Sequence, residues 1–160
     1  MISMLIILTG LWQPVADIPT VVVTPSVHDA DTMRQRASAF VAEYFQHLSS
    51  PEVLKNFERD YAPYVSYYDK RVDHDTVMRD KARFVRRWPQ RSYRLRGDNL
   101  DISCDHTMSL CMVTGLVDFE CRSAERHAVS TGVARFYAGI WFRGEHAQIV
   151  AEQSDVMPQP

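Results

Sequence analysis

The sequence predicts an α+β domain in which three N-terminal helices pack on a strongly curved antiparallel sheet. Three observations support this prediction. Apolar residues recur with a period of about 3.6 between residues 29 and 88, which is typical of amphipathic helices. After Pro89 the period changes to two, which is typical of strands that bury one face. The chain has 160 residues and no internal repeat, so its length suits one core.

The first two helices are predicted from their caps and their apolar stripes. Asp29 or Asp31 can cap the first helix. Its inward face comprises Met33, Ala37, Phe40, Val41, Tyr44, Phe45 and Leu48. Ser50 can cap a second, short helix that has Pro51 at its first position. The inward residues of that helix are Val53, Leu54, Phe57 and Tyr61.

A short strand and a third helix follow. Residues 63–68 read as a strand, and Asp73 or Asp75 can cap the next helix. The inward face of this helix comprises Val77, Lys81, Phe84, Val85 and Trp88. Pro89 ends it, because proline cannot continue the backbone hydrogen bonds of a helix. We expect Trp88 to be buried, since it ends the inward stripe.

The remaining residues predict four or five strands joined by hairpins. If Cys104 faces Cys111, then Ile102 faces Val113, and the apolar residues of both strands share one face. An oxidising compartment would allow Cys104 and Cys111 to form a disulfide and leave Cys121 free. A reducing compartment would leave three buried thiols. A long strand is predicted over residues 128–142 and a last one over residues 147–156.

Residues 1–28 differ in character from the rest, so the domain is predicted to cover residues 29–157. Residues 4–12 are an apolar run, shorter than the ~20 residues that span a bilayer but as long as a signal-peptide core. No Lys or Arg precedes the run and no clean cleavage site follows it. Residues 13–28 contain three prolines and read as an extended linker. The sequence favours export to the periplasm or the medium, with a cytoplasmic location as the alternative.

The order of elements from Asp29 to Met157 resembles the nuclear transport factor 2-like superfamily. This cystatin-like cone is shared by ketosteroid isomerase, SnoaL-type cyclases and scytalone dehydratase. The local likeness lies in VSYYDK (65–70) and in the helix DTVMRDKARFVRRWPQR (75–91), which also resemble small modules attached to bacterial exported or caspase-like proteins. The resemblance implies a cavity between sheet and helices that serves catalysis, ligand binding or partner docking.

The same resemblance implies one catalytic candidate. Asp69 closes the first strand, where ketosteroid isomerase has its proton-abstracting aspartate, and an apolar cavity would raise the pKa of such a carboxyl. Tyr44, on the inward face of the first helix, would be the hydrogen-bond donor to a developing oxyanion. No second acid matches the family pattern. The competing interpretation makes Asp69 an ordinary turn or cap residue, and the sequence favours it.

Aromatic residues supply the candidate ligand-binding set. They would either line a pocket for a flat apolar ligand or simply form the core. The predicted ligand-binding residues are Tyr64, Tyr68, Trp88, Tyr93, Phe136 and Trp141.

The charge distribution and the absence of known motifs reduce the number of possible functions. The formal charge of the chain is -2, yet residues 79–96 hold eight basic residues and one acidic residue. This basic stretch would suit phosphate, an acidic protein or anionic lipid, but a solvated face with ion pairs to Asp73, Asp75 and Asp80 explains it more simply. We expect no specific nucleic-acid binding, no membrane span, no metal site and no cofactor, because the corresponding spacings and loops are absent.

Two functions remain open. The favoured one is a non-catalytic module of an exported bacterial-type protein that binds a small apolar molecule or a partner protein. The alternative is a small cofactor-free isomerase, cyclase or dehydratase that uses Asp69 as its base. The sheet would also offer a surface for a homodimer.

Overall fold

The structure is a computed structural model that describes residues 27–97 and 100–158. The apolar run at residues 4–12 and most of the predicted linker therefore lie outside the described residues. The helices are α1 (Val27–Leu48), α2 (Val53–Asp60) and α3 (His74–Arg87). The strands are β1 (Tyr61–Tyr67), β2 (Lys70–Asp73), β3 (Gln90–Leu95), β4 (Asp101–Asp105), β5 (Leu110–Ser123), β6 (Ala128–Arg143) and β7 (His146–Val156). None of the described helices is long and apolar enough to cross a membrane.

The strands form one sheet in the order β2-β1-β7-β6-β5-β3, and β4 pairs with the first half of β5. All pairs are antiparallel except β1 with β7, which run parallel. The predicted α+β class is confirmed, with this parallel pair as an addition.

The core lies where α1 and α2 meet one face of the sheet. Its largest fully buried side chains are Tyr61, Phe57, Ile140, Val53, Val65, Val77 and Val113. The predicted inward stripe of α1 is correct, because Ala37, Val41 and Phe45 are all buried. Apolar periodicity was a sufficient guide here, since burial of one helix face stabilises the domain in proportion to its apolar area.

Two helices begin at residues other than the predicted ones, and one strand was not predicted. Helix α1 begins before its predicted caps. Helix α2 begins at Val53 because the Ser50 hydroxyl instead accepts a bond from the Glu52 amide, 3.2 Å away, in the turn before it. Strand β2 was not predicted at all: Tyr68 and Asp69 both have positive φ, and together they reverse the chain into a tight hairpin.

The middle hairpin has the predicted register. Cys104 pairs with Cys111, and the two sulfurs form a disulfide. With this register, the backbone of Gly115 packs closely against the side chains of Leu100 and Phe136. A Cβ at this position would be 2.6 Å from Leu100 Cδ2, so only glycine allows the close approach.

Candidate ligand cavity

A cavity of about 330 Å³ lies between α1, α3 and the inner face of the sheet. Most of its wall is aliphatic or aromatic. Helix α1 contributes Phe40, Val41, Tyr44, Phe45 and Leu48, and the strands contribute Val117, Phe119, Phe136 and Ile149. The volume falls within the range of small-molecule pockets.

Four of the six predicted ligand-binding residues line this cavity: Tyr68, Trp88, Tyr93 and Phe136. The other two do not. Tyr64 is 61% exposed and packs against Arg71, while Trp141 is 36% exposed and packs against Arg143. Both positions follow from strand alternation, which turns their side chains away from the inner face of the sheet.

The two catalytic candidates are not brought together. Tyr44 lines the cavity, as its place on the inward face of α1 implies. Asp69 is exposed in the turn between β1 and β2, has a φ of 62°, and is not among the lining residues. Aspartate tolerates this left-handed conformation better than most residues, so a turn role explains it. The predicted role of Asp69 as a base in the cavity gains no support from its position.

Two acidic residues line the cavity, Asp80 and Glu152. Glu152 is the more buried of the two, and a bulge in β7 directs its carboxylate inward. Ile140 of β6 pairs with Ile149, but its neighbour Gly139 pairs with Ala151, so Val150 is an extra residue. The extra residue shifts the alternation by one. It therefore turns Glu152, rather than Ala151, to the inner face.

Glu152 belongs to a closed ring of hydrogen bonds at the polar end of the cavity. Lys81 Nζ lies 2.5 Å from Glu152 Oε1 and 3.3 Å from the Tyr44 hydroxyl. The Tyr61 hydroxyl donates to Glu152 Oε2 and lies 2.8 Å from the Tyr44 hydroxyl. Because Tyr61 has given its only hydrogen to Glu152, Tyr44 must donate to Tyr61, and Lys81 donates to Tyr44.

The ring leaves Lys81 with a third N–H bond outside it. The ammonium lies 5.3 Å from the ring centre of Phe57, 5.4 Å from that of Tyr61 and 5.5 Å from that of Tyr67. Aromatic faces stabilise a cation in such a position. Lys81 and Glu152 are both largely buried, with side chains 9% and 15% exposed. Their ion pair, the aromatic faces and the tyrosines together compensate the loss of water around both charges.

The tyrosines of this region act as neutral donors. Burial raises the pKa of Tyr44 and Tyr61 well above the ordinary tyrosine value, and the negative charge of Glu152 raises it further. Burial and Glu152 also raise the pKa of Tyr67, whose hydroxyl donates to Asp80 at 2.8 Å. None of the three hydroxyls can therefore serve as a base near neutral pH.

Trp88, Tyr68 and Val156 mark the open end of the cavity, because they line it and also reach solvent. The expectation that Trp88 is buried is wrong: the residue is only partly buried. It is the C-cap of α3, where the backbone leaves the helix, so its indole lies at the mouth of the cavity. The Arg126 guanidinium covers the indole at 4.5 Å from the ring centre, and that of Arg87 lies at 5.8 Å.

The basic stretch at residues 79–96 divides into buried and exposed members. Lys81 and Arg91 are buried. Three exposed members pair with acids: Arg83 with Asp80, and Arg94 and Arg96 both with Asp118. Of the predicted acidic partners, only Asp80 has this role; Asp73 instead caps α3 by accepting from the Thr76 amide.

One free cysteine lines the cavity. Cys121 is buried and its sulfur lies 3.5 Å from the Tyr93 hydroxyl. Burial raises the pKa of this thiol, which makes it a weak nucleophile. No three His, Cys, Asp or Glu side chains converge on a metal-sized site in the part of the chain that the structure describes.

Comparison with known proteins identifies the fold. No protein-family model matches the chain, and no curated protein matches it. Solved structures do match. A nuclear transport factor 2-like superfamily protein from Salmonella enterica is 7% identical, with a TM-score of 0.67, over 81% of this chain and 94% of that one. A candidate scytalone dehydratase from Novosphingobium aromaticivorans is 11% identical, with a TM-score of 0.68, over 82% of this chain and 89% of that one.

A third match has a different extent. Bd1075 from Bdellovibrio bacteriovorus is 18% identical, with a TM-score of 0.61, over 84% of this chain but only 44% of that one. This chain thus spans less than half the length of that protein. The matches show that the chain has the nuclear transport factor 2-like fold, the cystatin-like cone that its order of elements predicted. Sequence identities this low show a shared fold and do not show a shared function.

Proposed function

We propose that this chain is a ligand-binding module that holds a small, mainly apolar molecule in its cavity. The observation that supports the proposal is an open aromatic cavity in which the polar side chains at one end already form hydrogen bonds with one another. A ligand can bury its apolar surface on Phe40, Phe136 and their neighbours without breaking that ring. The remaining N–H of Lys81 offers one donor at the inner end, which would select a ligand with a hydrogen-bond acceptor there.

The ring favours binding over proton transfer. An isomerase or dehydratase needs a base with access to substrate and a donor aimed at the developing oxyanion. Here the hydroxyl protons of Tyr44 and Tyr61 are used within the ring, and each oxygen of Glu152 already accepts a bond. Catalysis would require the ring to open when substrate binds.

The catalytic alternative has one observation in its favour. Glu152 places a carboxylate inside an apolar cavity, where Asp69 does not. If the chain is an enzyme, Glu152 is its base and Lys81 supplies the donor. Some proteins of similar fold are described as dehydratases or a hydroxylase, each as a candidate only.

Binding to the cavity is tested with a neutral naphthylamine dye that fluoresces in apolar surroundings, together with native mass spectrometry of the purified protein for a retained ligand. Ala134 lines the cavity and is 9% exposed, so Ala134→Phe should fill the space and weaken dye binding about tenfold or more. Thr131→Phe is the matched control, because Thr131 is exposed on the same strand. Should Ala134→Phe lower the melting temperature strongly, Ala138→Leu is a milder change in the same wall.

Dye binding that is unchanged in a folded cavity variant would contradict the proposal. So would an absence of binding by the unaltered protein. Turnover of a substrate that is lost in Glu152→Gln would favour the catalytic alternative instead.

We also propose that the module works in an oxidising compartment, as part of an exported protein. The Cys104–Cys111 disulfide supports this, since such bonds are rare where the cytosol keeps thiols reduced. The match to less than half of Bd1075 is consistent with a fold that can occur within a longer chain.

A further inference from the structure

Two arginines meet at the mouth of the cavity on the indole of Trp88. Arg126 comes from the turn between β5 and β6, and Arg87 is the last residue of α3. They approach the same ring from different elements, at 4.5 Å and 5.8 Å from its centre. Stacking restricts both flexible side chains and places two positive charges beside the entrance.

Neither arginine has an acidic partner among the described residues. Arg126 Nε donates to the Ser123 hydroxyl at 3.3 Å, which leaves its terminal nitrogens free for another acceptor. By contrast, Arg83, Arg94, Arg96 and Arg122 each lie within 3.2 Å of a carboxylate oxygen. Other arginines in the part of the chain that the structure describes, such as Arg79 and Arg86, also lack an acidic partner. Among the described residues, however, only Arg87 and Arg126 stack on an aromatic side chain that lines the cavity.

We propose that Arg126 and Arg87 bind an oxyanion on the cavity ligand, which is therefore amphipathic. Its apolar body lies inside the cavity, and its carboxylate or phosphate lies at the mouth against the two arginines. This inference rests on the proposed ligand-binding function. A planar guanidinium can donate two parallel hydrogen bonds to an oxyanion, and side chains already held by stacking lose less entropy on binding.

The alternative is that the stacked arginines only fasten the β5–β6 turn to α3. The chain contains a matched control for this possibility. On β6, Arg143 lies 5.2 Å from the ring centre of Trp141, and Trp141 is not among the residues that line the cavity. Removing Arg143 deletes an arginine–tryptophan contact of the same kind, away from any ligand.

The test uses two fluorescent probes with the same apolar body: anilinonaphthalene sulfonate, which is anionic, and N-phenyl-1-naphthylamine, which is neutral. Arg126→Gln and Arg87→Gln should each weaken the anionic probe about two- to fivefold, with little change for the neutral probe. Arg143→Gln should leave both affinities unchanged. Raising the salt concentration should weaken only the anionic probe.

Competition then distinguishes the two oxyanions. Alkyl carboxylate, alkyl phosphate and alcohol of one chain length are each used to displace the anionic probe. One or both of the anionic compounds should displace it at lower concentration than the alcohol, and the better one identifies the headgroup.

The outcomes separate the two proposals. If the neutral probe binds and Ala134→Phe expels it, but the arginine variants leave the anionic probe unchanged, the oxyanion site is wrong and the cavity function stands. An equal loss of both probes in Arg126→Gln would show that the arginine is a structural clamp. If neither probe binds the unaltered protein, both proposals are wrong.

Discussion

Lys81 and Arg91 are buried cations ten positions apart in the same basic stretch, and the structure neutralises them in opposite ways. Lys81 is paired with side chains: the carboxylate of Glu152 and the hydroxyl of Tyr44. Arg91 is paired only with backbone. Its guanidinium donates to the carbonyls of Leu48, Ser50, Trp88 and Pro89.

The backbone partners of Arg91 make it a structural residue. Leu48 ends α1 and Trp88 caps the end of α3, so both carbonyls belong to helix termini, where the partial charge is negative. Burial lowers the pKa of Arg91, but a guanidinium stays charged at any physiological pH. Its partners cannot move unless the helices move, so Arg91 joins three segments of the fold.

The side-chain partners of Lys81 make it a residue that can respond to a ligand. Its hydrogen-bond partners, Tyr44 of α1 and Glu152 of β7, both line the cavity. A rotation of one side chain would free a donor or an acceptor without unfolding a helix. Burial of a charge therefore does not by itself indicate function, since a cation held by the backbone is fixed whereas one held by side chains can change partners.

The largest effect is expected from Glu152→Gln. The change leaves the Lys81 ammonium buried without a counter-charge, so we expect the free energy of unfolding to fall by about 4 kcal/mol. Urea denaturation measures it. The double variant Lys81→Met/Glu152→Gln should be less destabilised than the sum of its single variants, since it removes both charges. Additive losses would show that the two charges do not interact.

The second-largest effect is expected from Arg91→Met, which should lower the free energy of unfolding by about 3 kcal/mol. The substitution leaves four carbonyls without their charged donor, and hydrogen bonds to charged groups are stronger than neutral ones. Arg94→Met is the control on the same strand. Its ion pair with Asp118 is exposed to solvent, so its loss should lower the free energy of unfolding much less. Equal losses in the two variants would contradict a special role for Arg91.

Glu152→Gln and Arg91→Met should also differ in their effect on ligand binding to the cavity. At denaturant concentrations where both remain folded, Glu152→Gln should change the affinity for the neutral probe, while Arg91→Met should not. The reverse result would break the distinction between a structural cation and a ligand-responsive one.

Loss of the disulfide should lower stability less than loss of either buried ionic contact. Replacing Cys104 and Cys111 by serine should lower the free energy of unfolding by roughly 2 kcal/mol, since the closed loop is short. Probe binding should stay unchanged, as neither cysteine lines the cavity. Alkylation in denaturant without reductant, after purification from the periplasm, should label Cys121 alone. Labelling of all three thiols would count against both the bridge and the proposed oxidising compartment.

Most of the fold could be predicted from the periodicity of apolar residues in the sequence. The inward face of α1, the change to strand period after Pro89 and the register that pairs Cys104 with Cys111 all follow from local patterns. They do so because each buries one apolar face, and that requirement can be read from neighbouring residues. Tyr44 and four of the cavity aromatics were found for the same reason.

The polar end of the cavity was decided by tertiary structure. Lys81 gave a signal, as a charged residue on an apolar stripe, but its partner did not: Glu152 faces inward only because Val150 is an extra residue in the pairing of β7 with β6. Asp69 was misplaced because it lies in the two-residue turn before the unpredicted strand β2, where its side chain is exposed. A bulge changes the face of the side chains that follow it, and the bulge in β7 is determined by how that strand pairs with β6, which apolar periodicity along the chain does not show.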